Sequence, residues 1–125
     1  MRFFLDNNLS TRLADGMCAF GEDVTHLQNH FVADTADAIW LQDIGQKGWI
    51  LITRDQRITK NPAEKMALRQ NNVGAFFLAG KNRSHWDLVE QLVRNWRRLK
   101  SLSSSTDRPF AFRIPSKGTK FERIQ

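Results

Sequence analysis

The sequence has little cysteine and no long apolar run. Its 125 residues include one cysteine, Cys18, so an internal disulfide is excluded. No apolar stretch approaches the roughly 20 residues that a membrane-spanning helix needs. The apolar start is interrupted by Asp6, too early for a secretory signal. Because small secreted domains usually depend on disulfides, we expect a cytoplasmic protein. We also expect no membrane partner. The length suits one domain.

Acidic residues are scarce at the C-terminal end. Residues 1–93 contain ten Lys or Arg and eleven Asp or Glu, whereas residues 94–125 contain nine Lys or Arg and two Asp or Glu. A nearly neutral body is therefore followed by a basic end. Such an end attracts anionic partners, nucleic acid or an acidic protein, although a solvated basic tail has the same composition.

Apolar periodicity predicts strands that alternate with helices. The predicted strands are residues 2–5, 22–27, 49–53 and 73–78. The predicted helices are residues 9–20, 35–46 and 62–71, and a long one that opens at Ser84 and reaches Leu99. This order predicts an α/β fold, a three-layer α/β/α sandwich with a mainly parallel central sheet and right-handed crossovers.

Local signals add detail to the helices. Thr35, Asn61 and Ser84 are the predicted N-caps of three of them. Cys18 is predicted to pack in or near the apolar stripe of the first helix. The last helix is predicted to bury Val93 and to carry a basic opposite face.

The C-terminal segment is predicted to be an extension of the domain. Residues 103–106 indicate a flexible break. Beyond it, Phe110, Phe112 and Ile114 alternate with other residues, which favours an edge strand or an extended segment. The sequence thus predicts an α/β domain over residues 1–102 and a basic extension, partly disordered, over residues 103–125.

Three carboxylates are expected to meet at one edge of the sheet. Asp6 and Asp55 each follow a buried strand directly, where open α/β sheets place their chemistry. Asp37 lies on the apolar stripe of its helix, four residues before Leu41, so it should face inward. A single Asp at such a place usually caps a helix or fixes a turn. Three together suit a hard divalent cation, Mg²⁺ or Mn²⁺, which would offset their mutual repulsion.

The candidate site residues follow from this grouping. Asp6, Asp37 and Asp55 are the predicted metal ligands and catalytic residues, since such an ion activates water and neutralises charge on a phosphodiester. Arg54, Arg57 and Asn8 are the predicted substrate-binding residues, the two arginines as multi-donor cations for phosphate. His26 and His30 are interpreted as ordinary loop or core-edge histidines, because no third ligand accompanies them.

Four blocks of the sequence resemble PIN-like domain proteins, on the branch that includes VapC-type toxins. These blocks are residues 3–9, 33–41, 48–58 and 61–64, and the resemblance covers about residues 2–80. It implies a metal-dependent endoribonuclease that acts as the toxin of a bacterial toxin–antitoxin pair. RNA would be the substrate and a cognate antitoxin protein the inhibitory partner, and a homodimer is a further expected assembly.

The resemblance also implies roles for individual residues. It assigns metal ligation to Asp6 and Asp55 and an acidic role in the site to Asp37. The sequence departs from the family pattern after the third predicted strand. Many relatives place a fourth acidic residue there, whereas this chain has Arg57 and Lys60. The departure is compatible with a single metal ion, with weak metal binding or with a catalytically degenerate site.

Two other functions are compatible with the sequence. A non-catalytic RNA- or protein-binding module would use the basic C-terminal helix and tail, and its RNA binding would be sensitive to salt. A receiver-like phosphoacceptor would use Asp6, Asp55 and Lys81, each of which follows a strand. The second is disfavoured because the usual acidic pair after the first strand is missing.

Overall fold

The computed structural model describes the backbone of residues 1–125 and every side chain except those of Ile58 and Thr59. The strands are β1 (Phe3–Leu5), β2 (Val24–His26), β3 (Ile50–Thr53), β4 (Gly74–Leu78), β5 (Phe110–Ile114) and β6 (Glu122–Arg123). The helices are α1 (Thr11–Ala19), α2 (Asp37–Lys47), α3 (Arg57–Lys60), α4 (Pro62–Gln70) and α5 (His85–Ser105), and a 3₁₀ turn covers Leu27–Asn29.

The six strands form one mostly parallel sheet in the order β2-β1-β3-β4-β5-β6. The first five strands are parallel, and β6 pairs antiparallel with β5. From β1 the chain first adds β2 on one side and then β3 on the other, so the winding direction reverses between β1 and β3. The predicted α/β fold with a mainly parallel sheet is confirmed.

Helices cover both faces of the sheet. Leu5 and Ile52 belong to a buried cluster that includes α1 and α5 residues, whereas Phe4 and Leu51 belong to the opposite cluster with α2 and α4 residues. Successive strand residues point to opposite faces. β1 and residues 50–52 of β3 are therefore apolar at every position because both faces of the sheet are buried there.

Two of the three predicted N-caps are confirmed. The Asn61 side chain accepts from the Ala63 amide, and Ser84 forms a reciprocal capping box with Asp87. The prediction for Thr35 is wrong, because α2 has Ala36 at its N-cap and the Thr35 hydroxyl donates to the Val32 carbonyl at 2.7 Å. Because the Thr35 hydroxyl bonds within the preceding turn, no side chain caps the start of α2.

The buried face of α5 contains polar residues and excludes Val93, which was predicted to be buried. Val93 is 57% exposed, whereas the polar residues Gln91 and Asn95 are fully buried. The predicted break at residues 103–106 is also wrong, because α5 continues through Ser105. Buried Ser103 supports that last turn by donating its hydroxyl to the Leu99 carbonyl at 2.8 Å.

The C-terminal segment contributes a strand to the interior of the sheet. β5 pairs in parallel with β4 over its whole length and carries β6 on its other side, so the predicted edge position is wrong. Phe110 and Ile114 are at most 1% exposed and pack with Phe76 and Leu92.

The prediction for Cys18 in α1 is wrong as well, because its side chain is exposed.

Candidate active site

A cavity of about 210 Å³ opens at the carboxyl ends of β1 and β3. Leu5 pairs with Ile52, so these two strands end side by side. Their junction is the point where the winding of the sheet reverses, which is the usual ligand position in open α/β sheets. The polar residues that line the cavity are Asp6, Asn7, Asn8, Asp37, Asp55, Arg57 and Glu64.

Asp6 is the deeply buried member of this group, only 4% exposed. Its Oδ2 accepts a hydrogen bond from the Thr53 hydroxyl at 2.6 Å, and its Oδ1 accepts from the Asn8 amide at 3.1 Å. Burial raises the pKa of Asp6 from 3.8 to about 6, although these hydrogen bonds lower it in part. The fold therefore holds a carboxyl group whose negative charge lacks full compensation.

Asp55 lies across the cavity and is bound by Arg57. The Arg57 Nη2 donates to Asp55 Oδ2 at 2.6 Å, and its Nε lies 2.9 and 3.0 Å from the two carboxylate oxygens. Burial alone would raise the pKa of Asp55, but the hydrogen bonds and positive charge of Arg57 outweigh it and lower this pKa. The same contacts raise the pKa of Arg57.

Asp37 reaches the cavity from the first turn of α2. Its Oδ1 accepts from the indole Nε1 of buried Trp40 at 3.2 Å, and its Oδ2 lies 3.5 Å from Arg57 Nη2. Its side chain is 42% exposed. The inward orientation expected from the helical stripe thus brings it to the cavity but not into the core.

Glu64 is the functional candidate that the sequence interpretation missed. It lines the same cavity from α4, and burial and the nearby charge of Asp37 raise its pKa, against the opposing effect of Arg57. The sequence pattern presents Glu64 as a helix-start residue. The overlooked signal was its spacing from Leu68, since residues four apart share a helix face and Leu68 is 1% exposed. The fourth carboxylate is therefore present, but on α4.

The other predicted site residues take different positions. Asn8 lines the cavity, whereas Arg54 is half-buried and is not one of the residues around it. The two histidines have local partners: the His26 Nε2 bonds to the Leu9 carbonyl and the His30 Nε2 to the Thr25 hydroxyl, each at 2.8 Å.

Carboxylate oxygens are the ligands that hard divalent cations prefer, so the donor set of this cavity fits Mg²⁺ or Mn²⁺. As arranged, no three acidic, His or Cys side chains among those described form a ready-made ligand cluster. The guanidinium of Arg57 binds Asp55 and lies 3.5 Å from Asp37. A positive charge therefore already lies beside two of the four carboxylates.

The protein is thus an α/β domain with a mostly parallel sheet and a carboxylate-lined cavity at its switch point. The family described as "PIN like domain" matches residues 1–80, which include all four carboxylates of the cavity, and the chain belongs to this family. No curated protein and no solved structure matches the chain. In the described part of the protein, no helix is both long and apolar enough to cross a membrane.

Proposed function

We propose that this protein is a metal-dependent endoribonuclease that hydrolyses RNA phosphodiesters. The observation that carries the proposal is the convergence of four carboxylates, from β1, α2, β3 and α4, on one cavity. Burying like charges together is unfavourable unless a cation compensates them. Such a cavity is therefore suited to binding a divalent cation together with an anionic substrate.

Asp6, Asp37 and Asp55 would hold Mg²⁺ or Mn²⁺, with Glu64 as a further acidic group at the same cavity. When bound, such a cation supplies a more acidic water and positive charge beside a phosphodiester. Thr53 and the Asn8 amide keep the Asp6 carboxylate in one orientation. Arg57 presents several N–H donors in one plane and would hold a substrate phosphate oxygen when released from Asp55.

The biological role proposed for this activity is that of the toxin in a bacterial toxin–antitoxin pair. Its support is the resemblance of the four sequence blocks to the VapC-type branch. The proposal expects growth arrest when the chain is expressed alone, and recovery when a small protein encoded next to it is co-expressed. Growth arrest by Asp6→Asn equal to that by the native chain would contradict a role for the nuclease site in toxicity.

The enzymatic proposal is tested by cleavage of a labelled single-stranded RNA by the purified chain in Mn²⁺, in Mg²⁺ and in EDTA, with single-stranded DNA of the same sequence in parallel. We expect RNA cleavage only with metal. Asp6→Asn and Asp55→Asn should each lower it at least 100-fold, whereas Asp15→Asn, an exposed α1 residue, should not. Folding of each variant is checked by its cooperative unfolding in urea, and undiminished cleavage by both site variants would overturn the proposal.

The contact between Arg57 and Asp55 supports one second candidate, a catalytically degenerate module that binds RNA or protein. Here the guanidinium would replace the cation permanently and the cavity would be structural. This candidate predicts salt-sensitive RNA binding without cleavage in any divalent metal. Metal-dependent cleavage that is lost in Asp55→Asn excludes it.

A further inference from the structure

A second cavity, of about 280 Å³, opens beside the first at the same edge of the sheet. Lys60, Lys81 and Arg113 supply its charged walls, together with the loop that follows β4. The short helix α3 separates the two cavities. Arg57, at its start, lines the acidic cavity, and Lys60, at its end, lines the second one.

The charges of the second cavity are all positive. None of the described residues around it is acidic. Among the described side chains, Lys60 and Lys81 have no carboxylate within ion-pair distance, and both are exposed. Arg113 is fixed on β5 by an ion pair of 2.9 Å with Glu122. Two ammonium groups without a carboxylate partner, those of Lys60 and Lys81, thus share this cavity with the ion-paired guanidinium of Arg113.

The rim of this cavity is held by a buried side chain that the proposed cleavage chemistry does not use. Gln91 is fully buried, and its Nε2 lies 3.0 to 3.1 Å from the carbonyl oxygens of Ala79, Ile114 and Pro115. These carbonyls belong to the segments that leave β4 and β5. Gly80 adds a backbone φ of +119°, which side-chain-bearing residues rarely adopt. The backbone beneath Lys81 is therefore fixed in place.

We propose that this basic cavity is a phosphate-binding subsite for single-stranded RNA. It would hold a phosphate a few nucleotides away from the phosphodiester that is cleaved at the acidic cavity. The inference rests on the proposed function, since it assigns the path of that substrate. Four carboxylates repel a polyanion at long range, so the strand needs cations beside them to remain bound. Water occupies about 30 Å³ per molecule in the liquid, so the cavity has room for a phosphate and several waters.

The test measures RNA binding in place of cleavage. All proteins carry Asp6→Asn, metal is chelated, and the affinity for a labelled single-stranded RNA is measured between 50 and 200 mM salt, about the range over which phosphate contacts weaken. Lys60→Gln with Lys81→Gln removes two charges from the cavity. The matched control, Lys47→Gln with Arg69→Gln, removes two charges from exposed positions in the last turns of α2 and α4.

We expect the cavity pair to weaken binding about tenfold or more and to reduce the slope of log affinity against log salt by about 0.7, because the one phosphate held in the cavity contributes about 0.7 for single strands. The control pair should change the affinity less than about threefold. Replacing single phosphates of the RNA by uncharged methylphosphonates should weaken binding at one position in the parent protein and have no effect there in the cavity pair.

Equal losses in the two pairs would overturn the subsite, because binding would then follow total charge alone. An unchanged affinity in the cavity pair would overturn it too. Both outcomes are independent of catalysis. A chain that binds RNA through this cavity but never cleaves it would refute the nuclease proposal and leave the cavity as an RNA-binding site.

Discussion

Arg57 and Asp55, two residues apart, form a bidentate ion pair at the acidic cavity, with Nη2 to Oδ2 at 2.6 Å and Nε within 3.0 Å of both oxygens. The Arg57 amide also donates to Asp55 Oδ1 at 3.0 Å. Asp55 cannot offer the same lone pairs to Arg57 and to a metal ion. Metal binding and this ion pair must therefore compete.

The first prediction concerns that competition. Arg57→Gln should raise the affinity for Mn²⁺ about threefold to tenfold, because Asp55 no longer has to release a guanidinium. The gain is modest because 62% of the Arg57 side chain is exposed and solvent screens the pair. Isothermal titration calorimetry of the metal-free protein measures it. Arg54→Gln removes the same charge outside the cavity and should change the affinity little, and a lower Mn²⁺ affinity in Arg57→Gln would contradict the competition.

The second prediction concerns pH and Asp6. The folded protein binds the Asp6 proton more tightly than the unfolded chain, so the contribution of this group to stability is complete below about pH 4 and is lost as the pH rises through about 6. A rise in pKa from 3.8 to about 6 corresponds to about 3 kcal/mol. In EDTA, the free energy of unfolding of Asp6→Asn minus that of the native chain should therefore increase by about this amount between pH 4 and pH 7.5.

Urea unfolding at several pH values measures this difference. Subtraction removes the contribution of Asp55, whose lowered pKa acts in the opposite direction. A flat difference for Asp6→Asn would show that burial does not raise the pKa of this carboxyl.

The third prediction concerns Glu64, the acidic residue of the cavity that was not among the predicted site residues. Glu64→Gln removes one negative charge from the cavity at nearly constant volume, so the Mn²⁺ affinity should fall about tenfold. Asn61→Ala removes the cap of the same helix and should cost about 1 kcal/mol of stability without changing the metal affinity. Calorimetry and urea unfolding of both variants separate the two effects. If Glu64→Gln lost stability but not metal affinity, Glu64 would be only a helix-start residue.

The fourth prediction concerns Gln91. Gln91→Met keeps the volume but removes the side-chain donor to the carbonyls of Ala79 and Pro115, whereas the Ile114 carbonyl keeps the Ala79 amide. The change should cost about 1 to 3 kcal/mol of unfolding free energy. Gln42→Met, at an exposed α2 position, should stay within about 0.5 kcal/mol of the native value. Equal stability of the two variants in urea would mean that the Gln91 contacts do not hold the ends of β4 and β5.

The alternation of buried strands and amphipathic helices made most of the fold predictable from the sequence. The main errors concern α5 and the segment after it. Polar Gln91 and Asn95 are buried beside Leu88, Leu92, Trp96 and Leu99 while Val93 is exposed, so apolar periodicity missed the polar part of this face. The serines at the end of α5 look like a linker, but Ser103 bonds back to Leu99 within the helix. Burial of β5 depends on pairing with β4, a long-range contact that no local pattern reveals.

The candidate site was predictable where it follows directly from strand ends. Asp6 and Asp55 come immediately after β1 and shortly after β3, and parallel neighbours end at one edge. Asp37 was identified from helical spacing. Glu64 was not identified because its helix-start position offered a sufficient local explanation. The guanidinium of Arg57 was assigned to phosphate, and its contact with Asp55 follows from side-chain geometry that sequence does not specify.

The most direct test measures Mn²⁺ occupancy and RNA cleavage on the same samples as the metal concentration rises. Electron paramagnetic resonance counts the bound ion, and the labelled RNA reports the cleavage rate. If a carboxylate-bound cation catalyses the reaction, the cleavage rate of the native chain should rise in proportion to Mn²⁺ occupancy. Asp55→Asn should lose Mn²⁺ occupancy and RNA cleavage together. Cleavage that persists in EDTA, or that remains undiminished in Asp55→Asn, would contradict a carboxylate-bound cation as the centre of the activity.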